Sequence, residues 1–215
     1  MKRLSAMLLL TALALAVFGQ DIALPAPKAK VGLDFIDAVK ARSTSRSFVA
    51  KDVSLEDLST ILWAANGVKS VDAVSSATKA NRTIPYSGDN AYLNAYVFTA
   101  KGVYLYQPEK NALKQLGSKE VRDKVTVEFI KTSPVLILFT VDGDKLPSFF
   151  KSGPLATAGT FGTAGEAASN TALAASAFKL SSIIMYNINP KTLPEAVTLG
   201  KNETPLILLQ IGYEK

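Results

Sequence analysis

The chain has 215 residues, enough for one hydrophobic core and tight for two, so a single domain is expected. Hydrophobic residues at 48% against 20% charged exclude the disordered, collagenous and low-complexity classes. His and Cys are both absent, which removes Ser-His-Asp triads, His-bearing zinc sites, disulfides, thiolate nucleophiles and cysteinyl iron–sulfur clusters. The formal charge of +6 falls to +4 if Lys2 and Arg3 leave with a leader, 22 basic residues then facing 18 acidic ones. So mild a bias points to small anions or anionic surfaces, and no aromatic–basic interleaving supports nucleic acid.

Met1-Lys2-Arg3 is a short positive start, and Leu4 to Phe18 is an apolar run rich in Leu and Ala. Val17 and Gly19 suit positions −3 and −1 of a cleavage site, so residues 1–19 read as a secretory signal peptide. The run is shorter than the roughly 20 residues of a membrane span. The expectation is an exported, periplasmic protein with no stable membrane anchor. Residues 20–32, with Pro25 and Pro27, read as an extended arm, and the domain proper occupies 33–215.

Asp34 can cap a helix bearing Phe35, Ile36 and Val39. Arg42-Ser-Thr-Ser-Arg-Ser-Phe48 follows as a basic, hydroxyl-rich loop. Ser54 caps a second helix, Leu55 to Ala65, for which Asn66-Gly67 predicts a left-handed stop. Val68 to Lys79 reads as a loop. Tyr96–Phe98 and Val103–Tyr106 predict a hairpin turning at Ala100-Lys101-Gly102. A helix is predicted from about Ser118 to Lys131. Val135 to Val141 is continuously apolar and predicts a strand buried on both faces. Leu146 to Phe161 reads as loop or short helix, and Gly159-x-x-Gly162-x-x-Gly165 as loop flexibility plus a helix start. Gly165 to Lys179 is an Ala-rich helix whose small residues suit a central place and a close, symmetric contact. Ser182–Met185, Thr192–Leu199 and Leu206–Ile211 complete the pattern as strand, helix and strand. The class is α+β, a mixed sheet flanked by helices.

Two guanidiniums among hydroxyls can clamp a phosphate through charge-assisted, bidentate bonds, which makes Arg42, Ser43, Thr44 and Arg46 the sharpest candidate site. A solvated helix C-terminus is the plainer alternative. Trp63 reads as core packing and Asp142-Gly143-Asp144 as a turn without the downstream Glu of a calcium loop. No metal site is expected.

In order along the chain, five stretches resemble the nitroreductase-like flavoprotein family. They are Arg42–Phe48 (RRSxRxF), Leu58-Ser-Thr-Ile-Leu-Trp-Ala-Ala-Asn-Gly67 (LSxLLWAAxGI), Arg82-Thr-Ile-Pro-Tyr-Ser-Gly-Asp89 (RTxPSAGN), Gly102-Val-Tyr-Leu-Tyr106 (GVYxY) and Gly165–Leu180, with Pro205–Gly212 as a closing strand. The nearest branch is similar to exported members related to the SagB/thiazoline-oxidase dehydrogenases. The resemblance implies a homodimer that binds FMN at its interface. It implies ping-pong hydride transfer from a small-molecule donor, NAD(P)H or another, to a nitroaromatic, quinone or enone-like acceptor. It assigns Arg42, Ser43, Thr44 and Arg46 to the FMN phosphate and ribityl chain, and Pro85, Tyr86, Ser87 and Asp89 to the flavin. Tyr186 and Asn187 fall where the family often has Glu-Gly or Gly-Gly above N5, and Lys201 or Lys215 would be the C-terminal phosphate contact. Asp89 stands for the usual Asn, and Tyr86 for the usual Ser. These departures favour the alternative, a non-catalytic or weakly flavin-binding exported protein of the same fold. Mass spectrometry of the exported protein is expected to find a start at Gln20 or Asp21, and an intact Met1 there would contradict the leader.

Overall fold

The computed structural model describes residues 20–69, 81–88, 90–125, 133–186, 188, 193 and 197–215. Seven strands form one sheet: β1 (Ile22–Ala23), β2 (Leu93–Thr99), β3 (Gly102–Gln107), β4 (Ala112–Gly117), β5 (Val135–Asp142), β6 (Ser181–Met185) and β7 (Glu203–Gly212). Their order is β1-β4-β3-β2-β5-β7-β6. Every strand ladder is antiparallel; the parallel element of the mixed sheet is a lone bridge between Thr44 and Ser182. The helices are α1 (Phe35–Ala41), α2 (Leu55–Asn66), α3 (Arg122–Val125) and α4 (Pro154–Ala177). The expected α+β architecture, one sheet flanked by helices, is present.

β5 lies at the centre because its whole run can be buried. Val135, Ile137, Phe139 and Val141 join the main core, while Leu136 and Leu138 join a second cluster on the other face. α4 covers the main core with a stripe of Ala164, Ala167, Ala168, Ala172 and Ala175. These recur at helical spacing, and their small size lets neighbouring backbone come close. Asn170 Nδ2 donates to the Ala64 carbonyl of α2 at 3.2 Å, and Ser176 Oγ donates to the Ala38 carbonyl of α1 at 2.8 Å.

Both predicted caps are present: Asp34 accepts from Asp37 N at 2.9 Å, and Ser54 from Asp57 N at 3.1 Å. Within the arm, Ile22–Ala23 is extended and pairs with β4, a strand whose sequence ALKQLG lacks an apolar run. Three expectations change. Gly67 is extended (φ −73°, ψ 167°) and makes no left-handed stop. Glycine is needed there for space, because a Cβ would lie 2.3 Å from Trp63 Cδ1 and 2.6 Å from the Trp63 carbonyl oxygen. α4 begins at Pro154, so Gly159, Gly162 and Gly165 lie inside the helix. Pro at the first helical turn favours that start, and a Cβ on Gly159 would strike the Phe150 ring at 2.2–2.5 Å. The predicted helix from Ser118 is reduced to Arg122–Val125 among the described residues. Residues 126–132, most of the loop Val68–Lys79, and Thr192 and 194–196 of the short helix Thr192–Leu199 lie outside them.

A carboxylate ties the sheet together at the start of β7. Glu203 accepts from Asn94 Nδ2 (2.8 Å), from Tyr96 OH (3.1 Å), from Thr140 Oγ1 and from Gly200 N (3.0 Å). Burial, and then the Glu203 charge, push the Tyr96 phenol above its ordinary pKa. Glu203→Ala would leave the buried Tyr96 and Thr140 hydroxyls and the half-buried Asn94 amide without this acceptor, at a cost of about 2–4 kcal/mol. Urea unfolding checks this: a loss in that range is expected, and an unchanged midpoint would show that the network is dispensable.

Candidate functional site

The basic loop is fixed by its backbone. It leaves α1 at Arg42, whose N–H donates to the Ala38 carbonyl at 3.0 Å. It then runs along the outer edge of β6, where Ser45 N donates to the Ser182 carbonyl at 3.1 Å. The buried Ser45 hydroxyl donates to the Ser47 carbonyl at 2.9 Å and accepts from Ser47 N at 3.3 Å. Phe48, 2% exposed, anchors the far end and pairs with Glu214. The chain's last residue closes the frame, as Lys215 N donates to the Ser47 carbonyl at 3.2 Å.

On this frame Arg42, Ser43, Thr44 and Arg46 all face solvent. Arg42 Nη1 reaches Thr44 Oγ1 at 3.4 Å, and Ser43 Oγ lies 3.3 Å from Ser181 Oγ. The Glu214 carboxylate accepts from Ser181 Oγ at 3.0 Å. Among the described residues, neither arginine forms an ion pair. The loop thus offers two unneutralised guanidiniums and two hydroxyls on a rigid backbone, a donor set that suits a phosphate dianion. Of the two C-terminal lysines, Lys215 belongs to the strand end beside this loop. Lys201 precedes β7 and sits at its opposite end, roughly 30 Å away for a ten-residue strand.

The second candidate segment is held by a clasp between the end of α2 and residues 82–86. Thr83 Oγ1 donates to the Trp63 carbonyl at 2.8 Å and accepts from Gly67 N at 2.9 Å. Buried Arg82 donates through Nη1 to the Asn66 carbonyl at 3.2 Å and pairs through Nη2 with Glu109. Trp63 Nε1 donates to the Val68 carbonyl at 2.9 Å. Tyr86 points into the core: its hydroxyl donates to Asn66 Oδ1 at 2.7 Å, and its ring meets Tyr92 edge-on at 4.9 Å. Burial holds its phenol well above the ordinary value.

Pro85, Tyr86 and Ser87 line a cleft of about 240 Å³ whose other wall is Phe150 with Gly159, Gly162, Thr163 and Glu166 of α4. Sequence reasoning missed Phe150, Thr163 and Glu166. The signal for Glu166 was present, as it carries the only charge on the 24 residues of α4. Partial burial raises its carboxyl pKa.

The two candidate segments do not share a cleft within one chain. The basic loop follows α1, which packs at the Ser176 end of α4, while Pro85–Ser87 faces Glu166, ten residues earlier and roughly 15 Å along the helix axis. Tyr186 follows β6 and is exposed. Asp89 and Asn187 lie outside the described residues. No group of His, Cys, Asp and Glu among the described residues could hold a metal ion. No helix among them is long and apolar enough to cross a membrane.

Comparison with known proteins shows the family and the fold. A profile of the Nitroreductase family matches residues 39–213. A candidate nitroreductase of Methanocaldococcus jannaschii is 23% identical over 183 residues, 82% of this chain and 89% of that protein. The crystal structure of a candidate nitroreductase from Ralstonia eutropha superposes with a TM-score of 0.79 at 23% identity, over 94% of this chain and 93% of the other. The Escherichia coli microcin synthetase McbBCD complex contains a chain that matches with a TM-score of 0.66 at 14% identity, over 100% of this chain and 85% of its own. The family match spans both the basic loop and the Pro85–Ser87 cleft, and the chain belongs to the nitroreductase family.

Proposed function

We propose that the protein is an exported FMN-dependent oxidoreductase of the nitroreductase type, from a branch close to the SagB-like dehydrogenases. The observation that carries this is the basic loop, with two unpaired guanidiniums on a backbone held at three points. Bound FMN would supply two-electron transfer between a donor and an acceptor that occupy the site in turn. Candidate donors are NAD(P)H or another small reductant; candidate acceptors are nitroaromatics, quinones and enones.

The chain's residues have separate duties. Arg42 and Arg46 bind the phosphate, with Ser43 and Thr44 beside the ribityl chain. Pro85 and Ser87 border the ring, while Tyr86 supports that segment from beneath through Asn66. Asp89, where the family has Asn, can only accept hydrogen bonds when ionised; a fixed negative charge beside the ring would disfavour an anionic reduced cofactor and lower its potential. Tyr186, exposed after β6, would border the ring on that side, where its bulk narrows the space for substrate.

A homodimer follows from the same reading. Phe35 is 69% exposed, Ile36 57% and Leu155 57%, and all three lie on α1 or α4. A two-fold partner packed along α4 would cover them and would close the gap between the two segments of the site. Light scattering at micromolar concentration is expected to give twice the chain mass, and a monomer would remove this architecture.

Charge-assisted bonds to phosphate are worth about 1.5–3 kcal/mol each, so Arg46→Ala is expected to weaken FMN by about tenfold to a hundredfold. Riboflavin, which lacks the phosphate, is expected to bind poorly and to be little affected. Fluorescence titration of both flavins against both proteins decides this. Equal losses would make Arg46 a support for the fold, and no binding of either flavin to the wild type would favour the non-catalytic alternative.

A further inference from the structure

The hydroxyls of the basic loop differ in where their protons point. Glu214, as a carboxylate, can only accept, so Ser181 Oγ gives it the one proton it has, at 3.0 Å. Ser181 then has only lone pairs left for Ser43 Oγ, 3.3 Å away, and Ser43 is the donor of that contact. Ser181 is 9% exposed, which keeps the middle of this relay out of solvent. What Ser43 turns to the open face of the loop is therefore lone pairs. Thr44 is set the other way. The Arg42 guanidinium can only donate, and its Nη1 reaches Thr44 Oγ1 at 3.4 Å, so the Thr44 proton stays free. Ser45 is occupied by Ser47 N and the Ser47 carbonyl. The loop thus joins two guanidiniums and one donor hydroxyl, which suit a phosphate, to one hydroxyl that only accepts.

We propose that Glu214 is a positioning residue: through Ser181 it fixes Ser43 as an acceptor, and the loop thereby selects phosphate esters that carry a hydroxyl, in preference to a carbonyl oxygen, close to the phosphate. This role of Glu214 rests on the reading of the loop as a phosphate site. A ligand hydroxyl facing Ser43 donates to it. A carbonyl in the same place sets lone pair against lone pair, and both lose a hydrogen bond that water had supplied.

The test uses three phosphate esters of matched size: propane-1,2-diol 1-phosphate, hydroxyacetone phosphate and n-propyl phosphate. At the second carbon they carry a hydroxyl, a carbonyl and neither. Each is titrated calorimetrically against the full mature protein, without and with FMN, for wild type, Ser43→Ala, Ser181→Ala and Glu214→Lys. Thermal melting checks folding. Affinities are read relative to n-propyl phosphate, which cancels the charge change of Glu214→Lys. In the wild type the hydroxyl ester is expected to bind about threefold to tenfold more tightly than the carbonyl ester. Ser43→Ala should remove that gap by weakening the hydroxyl ester. Ser181→Ala and Glu214→Lys should remove it in the opposite way, by strengthening the carbonyl ester, since Ser43 can then turn its proton outward. A wild-type ratio of one, a ratio that survives Ser43→Ala, or a carbonyl ester that gains nothing in both Ser181→Ala and Glu214→Lys overturns the role of Glu214. Failure of all three esters to bind overturns it too. The flavin reading fails separately, as an absence of FMN binding while the ester preference persists on the flavin-free chain.

Discussion

The backbone pairing of residues 44–48 with β6 and with the chain end is the constraint on which the candidate site depends. Ser45 reaches Ser182, Val49 reaches Tyr213, and Lys215 reaches Ser47. A free loop bearing two arginines would lose much conformational entropy on closing around an anion. Here that cost falls on folding, because the loop also shields the outer edge of β6. The same frame keeps carboxylates from quenching the arginines, since Glu214 is turned onto Ser181.

α4 plays the complementary part. Its buried alanines bring α2 and the sheet close, and its glycines leave room on the opposite side for Phe150 and for the cleft. A helix of larger side chains would fill both. The helix also sets the separation between the basic loop at one end and Pro85–Ser87 near the other. That separation, with the exposed apolar residues of α1 and α4, is what motivates the proposal of a two-fold partner along α4.

Much of this was legible in the residues. The β5 run, both N-caps and the basic loop are local signals, and they lie where the sequence places them. The LWAAxG and RTxP blocks were legible as a pair, and the structure supplies a reason: Trp63, Asn66 and Gly67 hydrogen-bond to Arg82, Thr83 and Tyr86, so neither block is complete without the other. What was illegible depended on tertiary contact. Gly67 suggested a left-handed turn but answers the Trp63 side chain. The glycine run suggested a loop, but the helix continues through it because Phe150 packs against Gly159. β4 has weak alternation and exists because β3 and β1 pair with it. Glu166 stood out locally as the one charge on α4, but that Pro85–Ser87 lies opposite it depends on tertiary contact.

If the 42–46 loop is an anion site shaped for the phosphate of FMN, a crystal structure grown with FMN will show it. The phosphate is expected within hydrogen-bonding distance of the Arg42 and Arg46 guanidiniums, with the ring extending toward a Pro85–Ser87 segment. A flavin whose phosphate lies elsewhere, with both arginines still facing solvent, would contradict it.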